Sequence, residues 1–440
     1  MSTASRVTIQ ALEYVVKTLP VGTNLALLHV LWALLSGAFL GSRGALFPAL
    51  LSLGLDAVQI RRSSQAVRDG AWSCDELVSR WRAWVAAHSQ WRPNRYEGYQ
   101  PLAVDITAFR RPQLHGWRGK FFYRVADRAV KSIGFALVVQ VGYNDKQRLR
   151  LLKQIIRADC DTLSENQFKN MVLKQVGQSL ATDEVLVHDA GASVAEMQDA
   201  EVPRWVVRLG RNCTTRRNQL PPRTNRKGRP AEYGALVRPL ERSYKGRQLP
   251  ATPPDVTVQF TYADRTIRAL GWHDLVRSDQ KVAADHATFS IWVFYDPLYR
   301  EPLVLGTNLA TAQASTIFQL YVDRWPVEEV PLVCKQLLGL QRQFAFAKAA
   351  RFRLPELGLL AANMLAHIAA ELPALPTGFW DRQPRRTPGR LRRVLGQAGF
   401  PKEYRLDGRI REKQAVIAHL PKGIVAHRRK KAAQPPRSGT

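Results

Sequence analysis

Asp105 stands in the middle of an apolar run, Leu102–Phe109 (LAVDITAF), whose composition is that of a β-strand. Nothing in strand packing asks for a charge there. A lone carboxylate taken out of water is costly unless a counter-charge or a metal ion meets it. The fold must therefore bring other groups to that point. A second acid, Asp189, ends another short apolar run (Val185–His188, VLVH), just before a turn at Ala190-Gly191 and a helix start at Ser193. By itself Asp189 reads as a loop or helix-entry residue. If the two runs are neighbouring strands of one sheet, both carboxylates reach one edge and the pair gains meaning.

A third acid comes in a spaced set, Tyr321-x2-Arg324-x3-Glu328-x6-Lys335. On a single helix at 100° per residue these four fall within an arc of about 60°. One face would present an acid for a metal and three groups for phosphate. Pro326 suits the first position of a restarted helix. Pro331 removes a hydrogen bond one turn later, so a kink is expected. Glu329 competes with its neighbour, and only the spacing to Arg324 and Lys335 selects Glu328. Three scattered carboxylates with a cationic frame suit hard, oxygen-liganded Mg²⁺ and a two-metal phosphoryl-transfer site.

The body around these acids is strongly basic: 65 Lys+Arg against 36 Asp+Glu, a formal charge of +29. Such an excess concerns partners rather than fold. Nucleic acid is the usual one, since Lys and Arg that neutralise phosphates release counterions. An anionic membrane surface is the competing explanation. The apolar segment Leu25–Gly41 is short for a membrane span and reads as a buried helix, so no membrane partner is expected. Cys74, Cys160, Cys213 and Cys334 stand far apart without metal spacing and read as reduced thiols of a cytoplasmic protein.

Composition divides the chain into an all-helical 1–100, an α/β pattern over 101–209, a basic β-rich stretch over 210–301, a resumed α/β pattern over 302–375, and a basic, proline-punctuated 376–440 with a disordered tail. In the first part a short helix, a turn at Gly54 and a helix from Asp56 to Arg68 carrying Arg61 and Arg62 form either a helix-turn-helix reader or a three-helix packing unit with a solvated basic face. Trp72, Trp81, Trp84 and Trp91 read as core anchors. Arg148–Val176 reads as helical. The stretch 210–301 holds Arg223, Arg226, Lys227 and Arg229 in its basic half, and strands Val256–Tyr262 and Phe289–Tyr295 in the other. Alternating strands and helices point to an α/β core.

The Tyr-x2-Arg-x3-Glu-x6-Lys spacing, preceded by Gly306-Thr307-Asn308-Leu309, resembles the YREK motif of bacterial insertion-sequence transposases of the DDE type. Asp105-Ile106-Thr107, Val187-His188-Asp189-Ala190-Gly191 and Val206-Val207-Arg208 are similar to that family's first and second aspartate regions, and the likeness spans roughly 100–375. It implies a ribonuclease-H-like core with a β-rich insertion, and a catalytic triad of Asp105, Asp189 and Glu328. The triad would bind two Mg²⁺, with Mn²⁺ able to substitute. Tyr321, Arg324, Lys335 and Arg208 would contact DNA. Trp272, after Gly271 and expected to be exposed, is a candidate for stacking on a flipped base, as is Trp292 with less claim because it alternates within an apolar strand. The implied activity is cut-and-paste transposition through a hairpin. The partners would be terminal inverted repeats and target DNA, held by a homodimer at the bacterial nucleoid. A catalytically silent DNA-binding protein and a generic Mg²⁺-dependent nuclease are the alternatives.

Overall fold

A computed structural model of the chain describes residues 1–19, 23–158, 162–222, 231–401 and 404. Cys160, the arginines at 223, 226 and 229 with Lys227, and the basic run His427–Lys431 lie outside the described residues.

The strand that carries Asp105, Gln100–Arg110, lies at the centre of the site-bearing part of a large mixed sheet. On one side it pairs antiparallel with Arg128–Asn144, Asp105 facing Leu137. That strand turns back into Gln147–Arg157. On the other side it pairs in parallel with Glu184–His188, which in turn pairs in parallel with Trp205–Arg208. Counted along the chain, these five strands lie side by side as third, second, first, fourth, fifth.

Side chains alternate across a strand, and the burial here follows it. Leu102 and Val104 pack with Phe168, Val172 and Leu173 of the helix Glu165–Gln178 on one face. Ala103 and Phe109 join the opposite core, formed by the amino-terminal helices and the apolar helix Ala350–Glu371. Asp105 and Thr107 fall on that second face.

The sheet does not end at Trp205–Arg208. Leu303–Thr307 pairs antiparallel with it, and Phe289–Tyr295, Arg265–Arg277 and Val256–Tyr262 follow in order. The β-rich stretch thus extends the same sheet.

One sequence expectation needs correction. Arg148–Val176 is not one helix: Gln147–Arg157 is a strand, and the helix begins at Glu165. The strand closes a tight hairpin on Asn144 through Asp145-Lys146, with Asp145 in the left-handed region at φ +54°. A bulge opposite Val138 and Val139 shifts its register. A bulge changes which side chains face inward, and so hides the two-residue period. The Leu25–Gly41 segment is likewise divided, into Leu27–Leu35 and Ala38–Gly41, at Gly37 with φ +78°. Among the described residues no helix is long and apolar enough to cross a membrane.

Candidate active site

The parallel register between the Asp105 and Asp189 strands decides where the first two acids meet. Leu102 lies beside Leu186 and Ala103 beside Val187. The ladder stops there, and two residues further along each chain Asp105 and Asp189 leave at the same end of the two strands, near enough to interact electrostatically. The next strand places His188 beside Val207, so Arg208 flanks Asp189 at the same level. Asp105, Asp189 and Arg208 thus share one end of three parallel strands.

Asp189 is held by its own turn. The Gly191 N–H donates to Oδ1 at 2.8 Å, and His188 Nδ1 lies 3.2 Å from the same oxygen. A Cβ at Gly191 would come within 2.9 Å of that oxygen, so the turn wants a residue without a side chain. Burial works to raise the Asp189 carboxyl, but the His188 ring, the Gly191 N–H and Arg324 outweigh it and hold the group below the usual carboxylate range.

Arg324 is almost fully buried and links two of the acids. Its Nη2 reaches Asp189 Oδ2 at 3.5 Å, and its Nη1 donates to Glu328 Oε1 at 3.0 Å. Glu329 turns the other way and pairs with Arg150, a buried arginine of the Gln147–Arg157 strand. The two adjacent glutamates are therefore separated by structure as they are by spacing. The segment is not a single α-helix. Ala314–Val322 is α-helical, Trp325–Glu328 tightens to 3₁₀, Glu329–Leu332 returns to α, and Val333–Leu337 widens to a π-turn. Pro326 and Pro331 sit in the first two of the short pieces, as expected of residues that remove a donor. The widened turn carries Lys335 back over the Asp105 strand, where Nζ donates to Thr107 Oγ1 at 2.7 Å and stands 5.1 Å from the Phe109 ring centre. Tyr321 is buried, and its hydroxyl makes no hydrogen bond of ordinary geometry. Burial raises the phenol while Arg324 and Arg208 pull the other way.

Asp105 feels the whole group. Burial pushes its carboxyl up to about 6; Arg324 and His188 work against that, and Asp189 and Glu328 add to it. Three acids are thus electrostatically joined to one another and to one arginine. Among the described residues no three His, Cys, Asp or Glu side chains stand close enough to hold an ion as they are, because Arg324 serves as counter-ion to Asp189 and Glu328. The donor set nonetheless fits a hard dication. It consists of carboxylates, and Asp105 is pushed up by burial, with its acidic neighbours adding, a cost that a divalent ion relieves.

The remaining expected residues lie elsewhere. Arg61 and Arg62 are exposed on the helix Ala57–Asp69, which Asp56 and Gln59 cap reciprocally. Trp272 corrects its expectation: it is 1% exposed, and its Nε1–H donates to the carbonyls of Thr252 and Pro253 at 3.2 and 2.9 Å. It offers no free face to a base. Trp292 is buried too, in the strand Phe289–Tyr295. Sequence reasoning passed over Asp323. It is buried beside Arg324 and accepts from Asn94 Nδ2 at 2.6 Å and Tyr96 Oη at 2.8 Å, anchoring the segment just before the cationic residues. No family model and no curated protein matches the chain.

Proposed function

We propose that the chain is a DDE-type transposase that cleaves DNA at transposon ends and joins them to target DNA, with Asp105, Asp189 and Glu328 as its metal-binding triad. One observation supports the reading: Asp105 and Asp189 lie at the same end of two neighbouring parallel strands, with Arg324 joining Asp189 to Glu328. The strand order third-second-first-fourth-fifth, with two antiparallel pairings followed by two parallel ones, supports a ribonuclease-H-like core. The excess of 65 basic over 36 acidic residues supports a DNA substrate.

In this reading Asp105, Asp189 and Glu328 hold two Mg²⁺, or Mn²⁺ in their place. The pair supplies activation of the attacking water or 3′-hydroxyl and stabilisation of the leaving oxygen. The chain's own groups position the phosphates. Arg208 flanks Asp189 from the next strand, and Lys335 reaches in from above the Asp105 strand. Arg324, freed from its carboxylates, presents a planar fork that matches a phosphate bidentately. Tyr321 brings a buried hydroxyl to the same place. A homodimer on paired terminal repeats, acting in the bacterial cytoplasm, completes the proposal.

The test uses a labelled fragment carrying the DNA that flanks the gene. Wild-type protein nicks it in Mg²⁺ or Mn²⁺ and gives strand-transfer products. Asp105→Asn, Asp189→Asn and Glu328→Gln each lose cleavage by at least a thousandfold, on the scale of removing a principal catalytic group, while still shifting the fragment in a gel. The neutralisation of Asp189 and Glu328 by Arg324 favours a second reading, a silent DNA-binding protein. Binding without any metal-dependent nicking by the wild type would establish that reading instead.

A further inference from the structure

Two segments without a single Asp or Glu run out from the acid pocket on the same side. One spans Ile106 to Ala126 and carries Arg110, Arg111, Arg118, Lys120 and Arg124; the other spans Val330 to Pro355 and carries Lys335, Arg342, Lys348, Arg351 and Arg353. They are joined where Arg111, itself buried, donates from Nη2 to the Ala345 carbonyl at 2.6 Å and from Nη1 to Gln343 Oε1 at 3.4 Å. Gln343 is buried in turn and donates back to the Leu340 carbonyl at 3.2 Å.

This clamp leaves the residues between and beyond it facing outward. Phe344 is 52% and Phe346 55% exposed, on a loop whose inner residues are pinned. The Arg111 guanidinium lies 5.4 Å from the Phe346 ring centre. Below the loop, Gly44 (φ +87°) lies so close to the Arg342 carbonyl that a Cβ there would collide with it, and Gly339 (φ +79°) approaches the Leu40 backbone in the same way. The loop is therefore held on the amino-terminal side of the two rings by these backbone approaches and between them by the Arg111 clamp. Two exposed rings two residues apart, with guanidinium and ammonium groups on the flanking segments, offer flat apolar faces beside positive charge. Charge and aromatic faces together are what sequence-tolerant binding of single strands requires.

We propose that Phe344 and Phe346 form a stacking platform for unpaired nucleotides of a DNA end held in the acid pocket. The proposal rests on reading that pocket as a DNA-processing site, and it supplies the aromatic surface that buried Trp272 does not. The six residue steps from Asp105 to Arg111 cover about 20 Å of chain, roughly six stacked base steps. An extension of that length reaches from pocket to platform.

The experiment compares a 25-base-pair duplex of arbitrary sequence, blunt or bearing six unpaired thymidines on either the 5′ or the 3′ strand, by fluorescence anisotropy at fixed salt. The wild type binds one extended duplex about tenfold more tightly than the blunt one. Phe344→Ala/Phe346→Ala loses that preference and keeps blunt-duplex binding, while Phe344→Trp/Phe346→Trp retains the preference. Because both rings are exposed, the melting temperature of each variant matches the wild type. A 2-aminopurine within the extension is quenched by the wild type and not by the alanine pair. Equal binding of blunt and extended duplexes by the wild type overturns the proposal. So does a preference that survives the alanine pair, or an equal loss on both duplexes. An extension preference that depends on both rings, in a protein that cleaves nothing in Mg²⁺, would remove the transposase reading and leave the platform standing. Cleavage without the preference would do the reverse.

Discussion

Glu328 and Glu329 are adjacent acids with opposite surroundings, and the contrast makes them separable by experiment. Glu328 is 47% exposed at its side chain and faces the aspartates through Arg324, whereas Glu329 answers Arg150, whose side chain is only 3% exposed. Removing Glu329 leaves a buried guanidinium unpaired, which costs roughly 1–3 kcal/mol. We therefore expect Glu329→Gln to lower the melting temperature and to keep metal-dependent cleavage at low temperature. Glu328→Gln should leave melting nearly unchanged and abolish cleavage. The reverse pattern would reassign the third acid. Asp105 allows a second check. Its carboxyl, raised to about 6 by burial, which outweighs the pull of Arg324 and to which Asp189 and Glu328 add, keeps its proton to higher pH in the native chain than in the unfolded one. Its contribution to stability is thus complete below about pH 4 and is lost as pH climbs through 6. Without metal, Asp105→Asn should melt higher than the wild type at pH 8, by at most about 3 kcal/mol in stability, and the gain should shrink toward pH 4. A pH-independent difference between the two proteins would show that another group titrates. The charge in an apolar run made Asp105 legible, and spacing alone made Glu328 so. Trp272 was not legible, because a preceding glycine says nothing about whether the carbonyls of Thr252 and Pro253 will meet an indole N–H.

Elements were readable where burial is even on both faces, or alternates without interruption. Ile133–Val141 lies inside Arg128–Asn144, and Val256–Tyr262 and Phe289–Tyr295 form with the bounds that their composition suggests. Gln147–Arg157 was not readable, since its bulge breaks the alternation and its arginines mimic a helix surface. The missed signal was the turn: Asn144-Asp145 places a residue that tolerates positive φ at the hairpin tip. The Asp145 backbone at φ +54° gives that turn a measurable cost. Asp145→Val should lose about 1–2 kcal/mol, as a β-branched residue pays for the left-handed region, whereas Asp145→Gly should be neutral or better. Equal melting temperatures for the two variants would mean that the turn relaxes. The segment 325–337 failed as a single helix for a reason that was visible in its prolines. Its succession of 3₁₀, α and π turns is the form the break takes, and it brings Lys335 to Thr107 without the one shared helical face that uniform spacing suggests.

At the scale of the whole molecule, the amino-terminal helices are tied to the sheet that carries the acid pocket by a shared apolar core and by hydrogen bonds across residue 100. Composition marks a change of character near residue 100, yet no composition reveals which core Trp81 and Trp84 anchor. Trp81 Nε1–H donates to Asn363 Oδ1 at 2.9 Å, and Asn363 Nδ2 donates to the Arg150 carbonyl at 2.7 Å. Arg150 is the residue that holds Glu329, next to the third acid. Arg82, from the same helix as Trp81, donates to Gln140 of the central sheet at 2.7 Å. The helices before residue 89 also share one apolar core with Leu149, Leu151 and the helix Ala350–Glu371. Asn363 lies fully buried at the centre of this arrangement. Its removal takes the shared Oδ1 acceptor from the Trp81 indole N–H and the Leu152 main-chain N–H, each loss costing roughly 1–3 kcal/mol, while the Arg150 carbonyl keeps His367 Nε2 at 2.8 Å. Asn363→Ala should therefore lower the stability of the amino-terminal helices and the sheet together, as one calorimetric transition moved to lower temperature. A transition that splits, with the sheet melting where it did before, would mean that the two parts fold independently and that the contacts across residue 100 carry little energy. A single shifted transition would mean that the helices before residue 89 and the sheet unfold as one cooperative unit.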